Sequence, residues 1–412
     1  MTDKNASDLA PSDLNVDLLI VGGGPAGLGV ARGYREAGGP GTVLLIGADE
    51  HPPYARPPLT KEYLRGEADA DSLPLAEPEW YTDNAIDLRL GTPATELDVD
   101  RRQVVVSDGT VIGYERLALA TGSSPNPLPV PGGDLPGVIY VRDRNSGEAL
   151  RGIAQLGRNV VVIGSGFIGC EAAASLARRG ASVVLVTEEK LPHSARLGAA
   201  AGGRIRDWLV DAGVVLVLGD GVASLTHTDD EGWRVDLVSG RILIAEAVVS
   251  GSGAQPNVGL AAAAGLRIVS GGVLTDHGLR TSDPHIWAVG DIAYAHNPAA
   301  DRPLRVEHWG EAESMGEIAG ANIAGQDRRW ATAPGFWSGI GDHELKYSSW
   351  GDGYERAELV EGPQGWAVWY AVDGSVVGVL TSDWDAEYER GQELIERHAD
   401  LSEALERREG AA

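Results

Sequence analysis

Two glycine-rich hexapeptides carry the clearest chemistry in the sequence, Gly22-Gly23-Gly24-Pro25-Ala26-Gly27 and Gly164-Ser165-Gly166-Phe167-Ile168-Gly169. Each follows an apolar run, LLIV or VVVI, and opens into a helical pattern. In the order strand, turn, helix, Gly22 and Gly164 permit the turn, and Gly24 and Gly166 let the backbone approach a pyrophosphate. Gly27 and Gly169 allow close helix packing. The N–H groups at the helix start, with the positive end of the dipole, then hold phosphates. One such hexapeptide also arises for steric reasons alone; this chain has two. An acidic residue ending the next strand would bind a ribose hydroxyl, and Glu188 and Glu189 stand there, about 20 residues beyond the second turn. Asp49 and Glu50 are available after the first. Cradles this far apart cannot serve one nucleotide. The sequence therefore points to two dinucleotide sites, one for a flavin and one for a nicotinamide, since a two-cofactor oxidoreductase explains both.

A single cysteine, Cys170, excludes an intrachain disulfide, a cysteine-based zinc site and a dithiol redox centre. No metal site is expected. The stretch HPPYARPPLTKEYL is forced by its prolines into an extended or turning path and carries Arg56 and Lys61. It is either a rigid surface connector or a stiff loop that holds two cations over a flavin. IWAVGD delivers Gly290 and Asp291 at a strand end. Asp291 either caps a following helix or also meets a cofactor.

These residues need a scaffold, and 412 residues with 43% apolar content suffice for several cores. The formal charge of −26, from 60 acidic and 34 basic residues, repels nucleic acid and anionic membranes. No apolar run approaches the roughly 20 residues of a membrane span, and the first residues lack a signal peptide's basic and apolar regions. Residues 1–14 read as a polar tail and the address as cytoplasmic. Val104–Val106 and Leu117–Ala120 predict strands around Asp108-Gly109, ending at Thr121-Gly122. The Pro/Gly-rich stretches at 125–133 and 250–257 mark boundaries. From about Trp330, WAVWYAV and SVVGVL flank Asp373-Gly374 as a hairpin, and a charged helix over 386–408 closes the chain.

Together VGGGPAG, PYARPPLTK, LALATGSSP, IGSGFIGCE, IWAVGD, RVEHW and GFWSG resemble the glutathione-reductase-fold flavoproteins. The resemblance is specifically to the ferredoxin, rubredoxin and putidaredoxin reductases and the apoptosis-inducing factor group, from about Asp17 to about Ala404. It implies an α/β fold with two Rossmann-like dinucleotide-binding domains (glutathione-reductase type) plus a small α+β C-terminal domain. The implied division is a tail, 1–14; a discontinuous FAD-binding domain, 15–122 and 251–329; an NAD(P)H-binding domain, 123–250; and a C-terminal interface domain, 330–412. By the same resemblance, Arg56 and Lys61 contact FAD, Ala94 lies by the adenine, Thr121 and Gly122 border the cofactor, and Arg142 reaches it. Asp291, beside Gly290, bonds the ribityl chain, while Glu307, His308, Trp309 and Trp337 line the isoalloxazine. Phe167 gates the nicotinamide pocket, Gly253 contacts NAD, and Glu171 pairs with Lys61 near flavin N5. Phe167 and Glu171, four apart on a helix, share a face. A lysine near N5 would stabilise the negative charge that builds as the flavin accepts hydride. The plainer alternative is that Glu171 is an exposed helix glutamate.

The chain departs from the family pattern in places. The family's first ribose acid falls on Ala48, with Asp49 the nearest substitute, and the aspartate of the FWSD stretch is Gly339 here. Cys170 reads as a small packing residue. The function expected is an FAD-dependent NAD(P)H oxidoreductase, in which hydride passes from NADH to flavin N5 and electrons go on to a one-electron acceptor. That acceptor would be a ferredoxin, a rubredoxin or another small iron–sulfur protein, or else a different one-electron acceptor such as a quinone. Glu188 and Glu189 disfavour a 2′-phosphate and so NADPH, against the nearby cations Lys190 and Arg196. The alternative is a redox sensor like apoptosis-inducing factor, whose long-lived reduced flavin–NAD complex controls protein association. No nucleic-acid or membrane partner is expected, and the chain would be a monomer or homodimer. An acidic ferredoxin would need a local basic patch, for which Arg101-Arg102, Arg302 with Arg305, and Arg328-Arg329 are candidates.

Overall fold

The computed structural model describes residues 13–154, 157–228 and 232–406. Most of the expected tail thus lies outside the described residues, and Leu14 already belongs to a strand. The chain forms two compact units: residues 1–55, 74–124 and 255–335, and residues 56–73, 125–254 and 336–412.

The first unit is built on the strand Leu14–Val21, whose last four residues are all buried. It lies between Val43–Ile46 and Val111–Leu119 and is parallel to both. Burial on both faces explains why Leu18–Val21 and Val43–Ile46 are continuous runs of Val, Leu and Ile. Ile86–Arg89 extends the sheet beyond Val43–Ile46, and Ile286–Ala288 pairs in parallel with Val111–Leu119. The helix Pro25–Glu36 follows the first glycine turn and packs against Trp309–Ile323. Their approach depends on facing glycines: a Cβ at Gly33 would lie 2.1 Å from Glu317 O, and one at Gly320 2.2 Å from Val30 O.

In the second unit five parallel strands run in the order Val215–Leu218, Ser182–Thr187, Asn159–Ile163, Ala247–Ser250, Val138–Tyr140. The helix Phe167–Arg178 follows the second glycine turn, and the chain turns at Gly180 with φ +92°. The hairpin Trp366–Val372/Ser375–Ser382 turns at Asp373 (φ 49°) and Gly374 (φ 82°), both positive as a tight antiparallel hairpin requires. The expected closing helix is interrupted, running over Asp385–Glu396 and Leu401–Leu405; its final residues lie outside the described ones.

Residues 336–412 group with the second unit, where Ile340, Leu345, Tyr347, Val368 and Leu380 share one apolar cluster with Val162, Cys170 and Leu176. From Arg56 on, the proline-rich connector joins the same unit, because Leu64 enters that cluster and Leu59 packs where a Cβ at Gly147 would lie 2.9 Å away.

Candidate functional site

In the first unit the glycines of the first turn separate into two kinds. Gly22 adopts φ +128° and a Cβ there would sit 2.0 Å from Ala120 O, while one at Gly27 would sit 1.9 Å from Gly22 O. Both are demanded by the chain itself. Gly24 has an extended backbone open to any residue, and an added Cβ would meet nothing within 4 Å. The space beside Gly24 is open. Pro25 and Ala26 start the helix, and no side chain caps it, so its first N–H groups suit a phosphate.

Other expected residues gather on the same unit. A Cβ at Gly290 would lie 3.0 Å from Ala26 Cβ, which sets Gly290 and Asp291 against the start of the cradle helix. Asp291 caps no helix: it sits in the three-residue 3₁₀ turn Gly290–Ile292, followed by a strand, and accepts a 2.6 Å hydrogen bond from Ser123 Oγ. Thr121 Oγ1 donates to Asn257 O at 2.8 Å, and the Asn257 N–H donates to Gly122 O, which fixes that loop. Ala94 opens an edge strand paired with Val106. His308 precedes the helix Trp309–Ile323, Glu307 pairs with Arg305 at 3.5 Å, and Trp309 Nε1 is buried with no hydrogen-bond partner among the described residues. That orphaned donor and the open space at Gly24 fit a bound dinucleotide.

Asp49 is already engaged within its own loop. It accepts from Tyr54 Oη at 2.7 Å and from the His51 N–H at 3.0 Å. Burial would raise its pKa, but these hydrogen bonds outweigh it and hold the carboxyl below its ordinary value. Arg102 and Arg305, two of the basic-patch candidates, pair with Glu115 and Glu307.

The second unit repeats the cradle. Gly164 has φ +95°, and a Cβ at Gly169 would lie 2.1 Å from Gly164 O. Gly166 again has extended backbone and only an ordinary 3.7 Å neighbour, and no side chain caps the helix beginning at Phe167. Ile168, at the helix start, is 43% exposed. Glu188 is exposed at the strand end, whereas Glu189 Oε2 accepts from the Ala195 N–H at 2.9 Å and from Ser194 Oγ at 3.1 Å. Glu189 thus serves a helix start. Gly253 O accepts from the Asn126 N–H at 2.9 Å, and the Arg142 N–H donates to Ser146 Oγ at 2.9 Å. Arg56 opens the 3₁₀ turn Pro57–Thr60 that leads to Lys61.

Glu171 is not an exposed helix glutamate. Its side chain and that of Lys61 are 4% and 5% exposed, with Lys61 Nζ 2.9 Å from Glu171 Oε2. Thr60 Oγ1 donates to the same oxygen at 2.6 Å, and Ser338 Oγ donates to Oε1 at 2.6 Å. Three donors thus hold the buried carboxylate, one of them the lysine cation. Sequence reasoning misses Thr60 and Ser338, although strand alternation puts Phe336 and Ser338 on one face and Trp337 on the other. Trp337 is 47% exposed, with Lys61 Nζ 4.8 Å from its ring centroid. A Cβ at Gly339 would come 3.3 Å from Lys61 Cδ, so the glycine there gives the lysine stem room.

Cys170 is fully buried and donates to Ser165 O; burial, then the charges of Glu171 and Glu189, push its thiol far above the ordinary value. It is no nucleophile. Among the described residues no group of three or more His, Cys, Asp or Glu could hold a metal, and no helix is long and apolar enough to cross a membrane.

The sequence model of the pyridine nucleotide-disulphide oxidoreductases matches residues 16–316. This chain belongs to that family. Within it, rhodocoxin reductase of Rhodococcus erythropolis is 36% identical over 323 residues, covering 78% of this chain and 75% of its own. Putidaredoxin reductase of Pseudomonas putida is 34% identical over 390 residues, 92% of each chain. Among solved structures, putidaredoxin reductase in covalent complex with putidaredoxin matches with a TM-score of 0.89 at 32% identity, over 96% of each chain. The family is named for disulphide chemistry, yet this oxidoreductase has one inert cysteine, so its electrons leave by another route.

His193 gives this oxidoreductase a measurable pH response. Burial, with a smaller contribution from Arg196, lowers its pKa to about 3. The unfolded chain, with an ordinary histidine near 6.5, binds the proton more strongly, so stability falls as pH drops from 6.5 towards 3. Between pH 7 and 5 the loss from this residue is about 2 kcal/mol. Denaturant midpoints at the two pH values should show wild type losing that much more than His193→Asn.

Proposed function

We propose that the protein is an FAD-dependent NADH oxidoreductase that passes electrons to a small iron–sulfur protein. FAD occupies the first cradle, with Gly22, Gly24 and Gly27 at its pyrophosphate, Asp291 at its ribityl chain, and Glu307, His308 and Trp309 along its ring. NADH occupies the second, with Phe167 at the nicotinamide end and Glu188 at the adenosine ribose. Bound FAD would supply the conversion of a two-electron input into single-electron output.

One observation carries the redox reading: the buried Lys61–Glu171 pair, in which a lysine is locked at 2.9 Å on a carboxylate held by Thr60 and Ser338. A cation fixed before reaction stabilises developing negative charge without reorganising. Glu171 keeps the Lys61 ammonium aimed, and the Trp337 ring covers it on one side. The names of the similar reductases, and the complex with putidaredoxin, support a small redox protein as acceptor. A reducing cytoplasm suits a chain whose single cysteine is unpaired by disulfide.

Because Glu189 is spent on a helix start, Glu188 sets the preference against a 2′-phosphate. Steady-state kinetics should give a higher kcat/KM with NADH than with NADPH, and Glu188→Ala should narrow that ratio about tenfold. Glu189→Ala should cost stability and leave the ratio alone. A wild type that prefers NADPH rejects this assignment.

A further inference from the structure

Two aromatic side chains and one arginine surround Phe167, the first residue of the second cradle helix. The ring of Phe167 lies 4.0 Å from that of His193, tilted by 37°, and 4.7 Å edge-on from that of Phe336. The Arg196 guanidinium stands 5.8 Å from the Phe167 centroid. Phe167 is thus held from two sides before any ligand arrives.

His193 is held more firmly still. It is 4% exposed and adopts φ 57°, a left-handed conformation that histidine enters with cost and that persists only where the surroundings enforce it. Its carbonyl accepts from the Arg196 and Leu197 N–H groups at 3.1 and 2.7 Å. Glu189 caps the same turn through Ser194 and Ala195, and Tyr370 Oη donates to Leu197 O at 2.8 Å. Gly198, with φ +82°, then breaks the turn from the rest of the helix. Meanwhile His193 Nε2 is buried with no hydrogen-bond partner among the described residues. A buried ring nitrogen without a partner is normally costly. What the site uses is therefore the flat ring, on a rigid turn, against Phe167.

We propose that His193 is a positioning residue that pre-orders Phe167 for nicotinamide binding by ring packing alone. The proposal rests on the second cradle being the nicotinamide dinucleotide site. If Phe167 must be ordered only on binding, affinity falls by the cost of immobilising one side chain, about two- to tenfold.

The test is calorimetric titration of FAD-loaded protein with NAD+. His193→Asn tolerates the left-handed turn but loses the ring, and should bind about two- to tenfold more weakly; His193→Phe keeps a flat ring and should retain wild-type affinity. In a Phe167→Ala background, His193→Asn should have no further effect. Unchanged affinity in His193→Asn, weakened affinity in His193→Phe, or an equal loss in the Phe167→Ala background each overturns the proposal. Should His193→Asn not fold, His193→Gly, which adopts the left-handed turn and also lacks the ring, takes its place with the same expected loss. A wild type that binds no NAD+ overturns instead the assignment of the cradle itself.

Discussion

Lys61→Ala slows reduction of the bound flavin by NADH by about 100- to 1,000-fold while FAD content stays near that of wild type. That range is typical for removing one preorganised group that stabilises developing charge in a site shielded from water. The structure also separates this effect from a folding defect. Removing the lysine leaves Glu171 buried without its cation, and breaking such a pair costs roughly 3–5 kcal/mol. Thr60 and Ser338 still donate to the carboxylate, which places the loss at the lower end of that range. Adding Glu171→Gln removes the stranded charge, so the double variant regains most of the stability and none of the rate. Rapid mixing reads the rate and denaturant unfolding the stability. Unaltered flavin reduction in Lys61→Ala would make Lys61 a positional residue only.

Gly24→Val abolishes FAD retention without unfolding the chain. The backbone at Gly24 has φ −96° and ψ −173°, comfortable for valine, and an added Cβ would meet nothing within 4 Å. The cost to the empty protein is limited to a poorer helix cap, about 1 kcal/mol. A bound pyrophosphate would meet the valine directly, and affinity for FAD falls at least about 100-fold, close to 2.7 kcal/mol. Gly27→Ala behaves oppositely. Its Cβ would fall 1.9 Å from Gly22 O, so the strand–helix junction itself must move. Flavin content after purification, set beside the thermal midpoint of each variant, checks both. A Gly24→Val protein that keeps its flavin would show that the open space serves something else.

These two variants also mark what was legible before the structure. The cradles, the parallel strands and the Asp373-Gly374 hairpin follow from local rules, because apolar periodicity and positive-φ turn residues are written in neighbouring positions. Asp49 and Glu189 illustrate the limit. Both stand where a ribose acid belongs, yet the first is held by Tyr54 and His51 and the second caps a turn beginning at His193. A carboxylate within a few residues of eager donors is captured by them, and composition at the strand end does not report that. The three donors on Glu171 come from segments more than 100 residues away, which no local pattern encodes. The same holds for the apolar cluster that Ile340, Leu345, Tyr347, Val368 and Leu380 share with Val162, Cys170 and Leu176. His193 gave no signal at all, since neither its left-handed turn nor its packing on Phe167 depends on a recognisable motif.

The central claim is that this chain takes electrons from NADH into a flavin and gives them singly to a small iron–sulfur protein. Anaerobic rapid mixing of the FAD-loaded protein with NADH, followed by a second mix with an oxidised ferredoxin, tests it most directly. The account predicts fast bleaching of the flavin in the first mix, and in the second its full reoxidation with stoichiometric reduction of the iron–sulfur centre, over repeated turnovers. A reduced flavin–NAD complex that persists for minutes in the presence of every such acceptor would contradict it.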